Sequence, residues 1–163
     1  MLRSFQLKAA RSVTGIEVRE IALYLGVSRT IISRWENQPA LNFIKTRKAS
    51  PQSLLFFFKQ HKISFPDNFT IHFDSKSTSN PSIHLTRFQL RAGRSILDLT
   101  QEELASQTNT SRSVVNYLET HNNEILLDST NKRVDDLSFK KFFENKGINF
   151  PDNFTICIEK ERF

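Results

Sequence analysis

Phe65-Pro66-Asp67-Asn68-Phe69-Thr70-Ile71 returns unchanged as Phe150-Pro151-Asp152-Asn153-Phe154-Thr155-Ile156, 85 residues later. A stretch this specific does not recur by chance, so the chain reads as a duplication. The match extends outward from it. Phe5-Gln6-Leu7-Lys8-Ala9-Ala10-Arg11-Ser12 reappears as Phe88-Gln89-Leu90-Arg91-Ala92-Gly93-Arg94-Ser95, at an offset of 83. The same 83 carries Ile21-Ala22 onto Leu104-Ala105, Ser28-Arg29 onto Ser111-Arg112 and Glu36 onto Glu119. The two extra residues of the second copy therefore lie after Glu119, in a polar segment expected to be a loop. Asp74 to Ser82 is polar, Ser-rich and holds Asn80-Pro81, which is linker composition. The expected division is 1–74, a linker over 75–83, and 84–163, with the boundary near residue 78.

Each copy reads as helices closed by a strand. In the first, Leu2 to Thr14 lacks Gly and Pro, and Gly15 stands where a helix stops. Val18 to Tyr24 carries apolar residues at helical spacing, and Gly26 breaks the chain. Ser28 is placed to cap a third helix, Arg29 to Glu36, with Ile32 and Trp35 on one face. Ser50-Pro51 is an N-cap followed by Pro at the first helical position, opening a helix to about Gln60 that buries Leu54, Phe57 and Phe58. After Pro66, Phe69 to Phe73 alternates as a strand does. In the second copy, Thr100 and Glu103 form a capping box before the second helix. Ser111 caps a third helix with Val115 and Leu118 inward, Val134 to Asn145 is the fourth, and Phe154 to Ile158 is the closing strand. Asn109 replaces the turn glycine, and Asn tolerates positive φ.

Two short helices joined by a Gly-containing turn form a helix-turn-helix pattern. Gly26-Val27-Ser28-Arg29-Thr30-Ile31-Ile32-Ser33-Arg34-Trp35-Glu36 resembles the turn and recognition helix of the Cro/C1-type (XRE) family of bacterial and phage regulators. Leu99-Thr100-Gln101-Glu102-Glu103-Leu104-Ala105 is similar to that family's second helix. The resemblance covers about residues 5–37 and 88–120, and the Phe-Pro-Asp-Asn-Phe-Thr segments are similar to a short tail in some small members. It implies a mainly α fold of two tandem lambda-repressor-like units, each followed by a helix and a short β-strand expected to pair with its counterpart. It also implies base reading by the first residues of the third helix and by one a turn later. Carried over, these are Arg29, Thr30 and Arg34, with Ser33 also outward, and Arg112, Ser113 and Tyr117, with Asn116 nearby. Arginine suits the task because its two hydrogen bonds fit guanine O6 and N7. Ser28 and Ser111 could meet phosphate. Gln101 matches a DNA-contacting position of the second helix; Val18 does not, and Arg19 is the phosphate candidate there. Arg11 with Glu36, and Arg94 with Glu119, match a structural ion pair of the family. Trp35, Leu118 and the pairs Phe57-Phe58 and Phe142-Phe143 read as core.

Charge supports the same direction. The net charge is +6 with a pI near 9.7, a balance that favours anionic partners, double-stranded DNA first. Residues 1–74 hold eleven Lys/Arg against five Asp/Glu, whereas 84–163 hold eleven against twelve, so the first copy is the stronger expected DNA binder. Fifteen Phe residues mark Phe-filled cores. The lone cysteine, Cys157, cannot form an internal disulfide, and within its alternating strand it reads as core. The His residues lack metal-ligand spacing, no phosphate loop or nucleophile motif is present, and no apolar run approaches a membrane span. The expectation is a cytoplasmic, non-enzymatic protein without cofactor or membrane contact. The repeated strands 69–73 and 154–158 could pair within one chain as a pseudo-dimer, or between chains as a homodimer. A competing function is a protein-interaction module, such as an antitoxin or anti-repressor, with weakened DNA reading in the second copy.

Overall fold

A computed structural model describes residues 1–45, 50–76, 82–120, 122–127 and 136–163. Among them the chain forms α1 (Ser4–Thr14), α2 (Val18–Leu25), α3 (Arg29–Glu36), α4 (Pro51–Gln60), β1 (Ile63–Ser64) and β2 (Thr70–Phe73). The same order follows in α5 (Arg87–Ile96), α6 (Gln101–Gln107), α7 (Arg112–Glu119), α8 (Asp136–Asn145), β3 (Ile148–Asn149) and β4 (Thr155–Ile158), closed by a 3-10 turn at Lys160–Arg162. The fold is thus mixed, eight helices with a four-stranded antiparallel sheet among the described residues. Two of these strands, β2 and β4, are the ones expected from alternation in the sequence. The two-residue β1 and β3 are too short to show alternation, although Ile63 and Ile148 sit at the repeat offset and are both fully buried. The expected boundary near residue 78 and the expected helix start at Val134-Asp135 lie outside the described residues.

Local signals explain most boundaries. Gly15 ends α1 at φ 70° and Gly26 ends α2 at φ 65°. Their counterparts in the second copy, Asp98 at φ 56° and Asn109 at φ 52°, hold the same left-handed conformation without glycine. A third pair runs the other way, Lys62 at φ 61° against Gly147 at φ 81°. Side chains in this region cost about 1–2 kcal/mol, and glycine returns about 0.5–1 kcal/mol of that through unfolded-state freedom. Lys62→Gly is therefore expected to raise stability by about 0.5–1 kcal/mol, read as an increased urea midpoint. The reverse change, Gly147→Ala, is expected to lower it, since an added Cβ would also lie 2.7 Å from Arg162 Cδ. Ser50 accepts from Gln52 N ahead of Pro51, and Thr100 and Glu103 close their capping box. The hydrogen bonds from Thr100 hold the exposed Glu103 carboxyl below the ordinary glutamate range. α1 starts two residues later than expected because Arg3 is extended and bridges Phe43.

The repeated Phe-Pro-Asp-Asn-Phe-Thr segment is a structural clip. Asp67 accepts from Phe69 N at 2.7 Å and from Thr70 Oγ1 at 2.9 Å; Asp152 accepts from Phe154 N and Thr155 Oγ1, both at 2.8 Å. Each clip is then tied to the first helix of its own copy. Buried Gln6 donates to Asp67 O and Thr70 O, and buried Gln89 to Asp152 O and Thr155 O. Their Oε1 atoms accept from Arg3 N and Thr86 N. The repeated identities therefore serve the backbone, whose buried polar groups must be paired.

The two copies meet about an internal two-fold axis. β2 and β4 pair antiparallel, with Ile71 opposite Ile156 and Thr70 and His72 opposite Cys157 and Thr155. Ile71 and Ile156 are equivalent residues of the repeat, so the axis passes between them. The flanking bonds obey it: Phe73 N donates to Phe154 O, and Ile158 N to Phe69 O. The sheet order β1-β2-β4-β3 is symmetric. On the inner face α1 packs against α5, and the buried apolar residues of both copies form one continuous core. The strands therefore pair within the chain. Cys157 corrects its expected placement: Ile156 and Ile158 hold the inner face, so period-two alternation puts Cys157 half-buried on the outer one. Burial still pushes its thiol pKa up.

Candidate nucleic-acid interface

α3 and α7 are built alike. Each is eight residues long and presents a buried apolar face, Ile32 and Trp35 in α3, Val115 and Leu118 in α7. Each is held to the first helix of its copy by a two-pronged ion pair. Arg11 Nε and Nη2 lie 2.6 and 3.0 Å from the Glu36 carboxylate oxygens, and Arg94 Nε and Nη2 lie 2.5 and 2.9 Å from those of Glu119. Both carboxylates are buried. A planar guanidinium fork fixes direction as well as distance, so the pairs set the roll of both helices.

The opposite faces carry the polar candidates. Ser28, Arg29, Thr30 and Arg34 are exposed and Ser33 is half-buried; Ser111, Arg112, Ser113, Asn116 and Tyr117 are exposed. Arg19 is exposed on α2. The two N-caps differ. Ser111 Oγ accepts from Val114 N and contacts Ser113 Oγ at 2.9 Å, while the Ser28 side chain makes no cap bond. Gln101 stands half-buried at the start of α6 and donates to Glu119 Oε2 at 2.8 Å, with Asn116 Oδ1 at 3.5 Å. It joins α6 to α7 and its amide is already engaged. Its counterpart Val18 makes no such link. Phe57, Phe58 and Phe143 are buried and Phe142 packs beside them, as expected of core.

The C-terminal end of α7 is also gripped by Arg87 and Arg91, which carry no expected role in the sequence. Arg87 is fully buried; its Nη1 donates to Tyr117 O at 3.2 Å and to Leu118 O, and its guanidinium lies 5.6 Å from the Tyr117 ring centroid. Its Nε and Nη2 have no hydrogen-bond partner. Burial pushes its pKa below the ordinary arginine value. Arg91 donates to Glu119 O and, at 2.9 Å, to Asn123 Oδ1. Three cations thus converge on the negative end of α7. In the first copy Ser4 holds the place of Arg87, donating to Glu36 O and Gln38 O. The spacing Arg87, Arg91, Arg94, one face of a helix, was the available signal.

Grooves of about 390 and 410 Å³ flank the contact between α1 and α5. One is lined by Lys8, Glu36, Ile96 and Asp98, the other by their counterparts Arg91, Glu119, Val13 and Gly15. The C-terminal end of each eight-residue helix therefore faces the other copy's first helix. Lys8 spans one junction to Asp98 at 2.5 Å, and Asn123 spans the other to Val13 O at 2.9 Å. Among the described residues no cluster of His, Cys, Asp and Glu could hold a metal, and no helix is long and apolar enough to cross a membrane. Compared with protein-family models, curated proteins and solved structures, the chain matches none of them.

Proposed function

We propose that the chain is a double-stranded-DNA-binding transcriptional regulator, a repressor of the Cro/C1 (XRE) type, reading an operator with α3 and α7. One observation carries the reading. In both copies a helix anchored from behind by an Arg–Glu fork with a buried carboxylate turns polar side chains outward, Arg29, Thr30 and Arg34 in one and Arg112, Ser113, Asn116 and Tyr117 in the other. A recognition helix needs that combination, because base edges are read only by side chains of fixed direction. The basic balance of residues 1–74 supplies attraction to phosphate. With Gln101 engaged by Glu119, the base readers are Arg29, Thr30 and Arg34 in the first copy and Arg112, Ser113, Asn116 and Tyr117 in the second. Arg29→Ala is expected to weaken binding to a selected duplex on the order of 10- to 100-fold, measured by fluorescence anisotropy at fixed salt. Equal binding of selected and scrambled duplexes at all salt concentrations would defeat the reading.

A second reading, a protein-interaction module, is favoured by one feature of the first copy. Leu23, Tyr24 and Phe56 are 72%, 45% and 55% exposed. Their counterparts Ser106, Gln107 and Lys141 are polar, so the fold does not require apolar side chains there. It becomes the better account if the duplex test fails.

A further inference from the structure

We infer that a single chain is the complete operator reader, and that it recognises an imperfect inverted repeat with two chemically unequal half-sites. The inference rests on the DNA-binding reading above and adds stoichiometry and half-site chemistry to it. Two-fold readers of B-DNA are ordinarily two chains, each presenting one helix to half-sites about one helical turn apart. Here the axis lies inside one chain, between Ile71 and Ile156. The strand edges that a second chain would need are already occupied, β2 by β4 on one side and by β1 on the other, β4 by β2 and β3. The remaining edges, those of β1 and β3, are two residues long, too short to template a further pair. The first helices, packed together on the inner face, share the same axis and the same pair of grooves. The chain thus has the symmetry of a dimer in its backbone.

Its side chains break that symmetry at chosen places. At the first position of the reading helix both copies have arginine, Arg29 and Arg112, and at the second both have a hydroxyl, Thr30 and Ser113. One turn later they part: Ser33 and Arg34 in the first copy, Asn116 and Tyr117 in the second. All but the half-buried Ser33 are exposed. Arginine selects guanine through two donors; asparagine pairs with adenine; a tyrosine ring offers one hydroxyl and an apolar edge. The backing differs as well, since Arg87 grips α7 beneath Tyr117 where α3 has Ser4. The two half-sites should therefore agree at the base pair under Arg29 and Arg112 and differ at the one under Arg34 and Tyr117. Two identical chains cannot encode such polarity on their own; one duplicated chain can, and it thereby gives the bound complex a direction along the DNA.

The test uses the full chain and a pool of duplexes randomised over roughly three helical turns. Selection and sequencing should yield two inverted half-sites, alike at one position and unlike at another. Native mass measurement on the selected duplex should find one chain per duplex. Tyr117→Arg should shift the preferred base in one half-site only, making the halves alike at the base pair under Arg34 and residue 117, with a preference change on the order of 10-fold or more. Arg34→Tyr is the reciprocal variant in the other copy and should shift the opposite half. A symmetric operator bound by one chain overturns the unequal half-sites. A symmetric operator bound by two chains overturns the single-chain reader and leaves DNA reading intact. A lone half-site overturns the role of the second copy. No enriched sequence at all overturns the underlying proposed function instead.

Discussion

Glu119→Ala is expected to cost about 3 kcal/mol of folding stability, a large fraction of the roughly 5–15 kcal/mol that holds a domain folded. The carboxylate is buried and accepts from Arg94 Nε and Nη2 and from Gln101 Nε2. Arg94 also reaches Leu99 O, so it cannot swing out to water without breaking a second contact. Removing the carboxylate leaves the Arg94 cation half-sheltered beside Arg91, whose own pKa burial already lowers. The cost is chiefly that of an uncompensated charge, and a second variant exposes this. Arg94→Leu combined with Glu119→Leu should lose much less than Glu119→Ala, because paired removal leaves no stranded ion. Urea unfolding followed by circular dichroism reads both. Equal losses in the two variants would mean that the fork is a net attraction rather than a mutual neutralisation.

Gln89→Leu should cost a comparable amount, about 3 kcal/mol, without touching a charge. Its side chain is buried and makes three bonds to backbone: it accepts from Thr86 N at 2.9 Å and donates to Asp152 O at 2.6 Å and Thr155 O at 3.2 Å. Leucine matches the volume and satisfies none of them. The readout can be taken in the other copy. Trp35, the chain's only tryptophan, lies on α3 of the first copy and is buried in the common core. Because the two copies share a sheet and a core, the Trp35 fluorescence transition should shift to lower urea by the same amount as circular dichroism. An unshifted Trp35 transition beside a reduced dichroism amplitude would show that the copies unfold independently, against a common core.

Much of the fold was legible because its signals are local. Gly15, Gly26, Ser50-Pro51 and the Thr100–Glu103 box act on the backbone within a few residues of themselves, and the structure places them where those rules put them. The ion pairs Arg11 with Glu36 and Arg94 with Glu119 were legible only as what the resemblance to the Cro/C1-type family implies, and the structure forms both. Other features were illegible for stated reasons. β1 and β3 are too short for periodicity, whereas the alternation of Ile156 and Ile158 already assigns Cys157 to the opposite face, against its expectation as core. The bond of Gln101 to Glu119 was hidden as well, since nothing in its neighbourhood in the chain reveals a partner eighteen residues away.

By itself the sequence determined that the chain is duplicated, which segments are helical, where they are capped, and which faces are apolar. These are matters of spacing and backbone preference, and they survive without knowledge of what lies across the interface. Only the tertiary structure decided that the copies close on each other. A strand edge carries the same donors and acceptors whatever chain it meets, so residues 69–73 hold no mark of whether their partner is in this molecule or another. What decides is effective concentration: a strand tethered within the chain meets its counterpart at a concentration on the order of millimolar, and the packing of α1 on α5 then locks the pair in register. The grip of Arg87 and Arg91 on the end of α7 belongs to the same class, for it exists only once α5 lies beneath that helix.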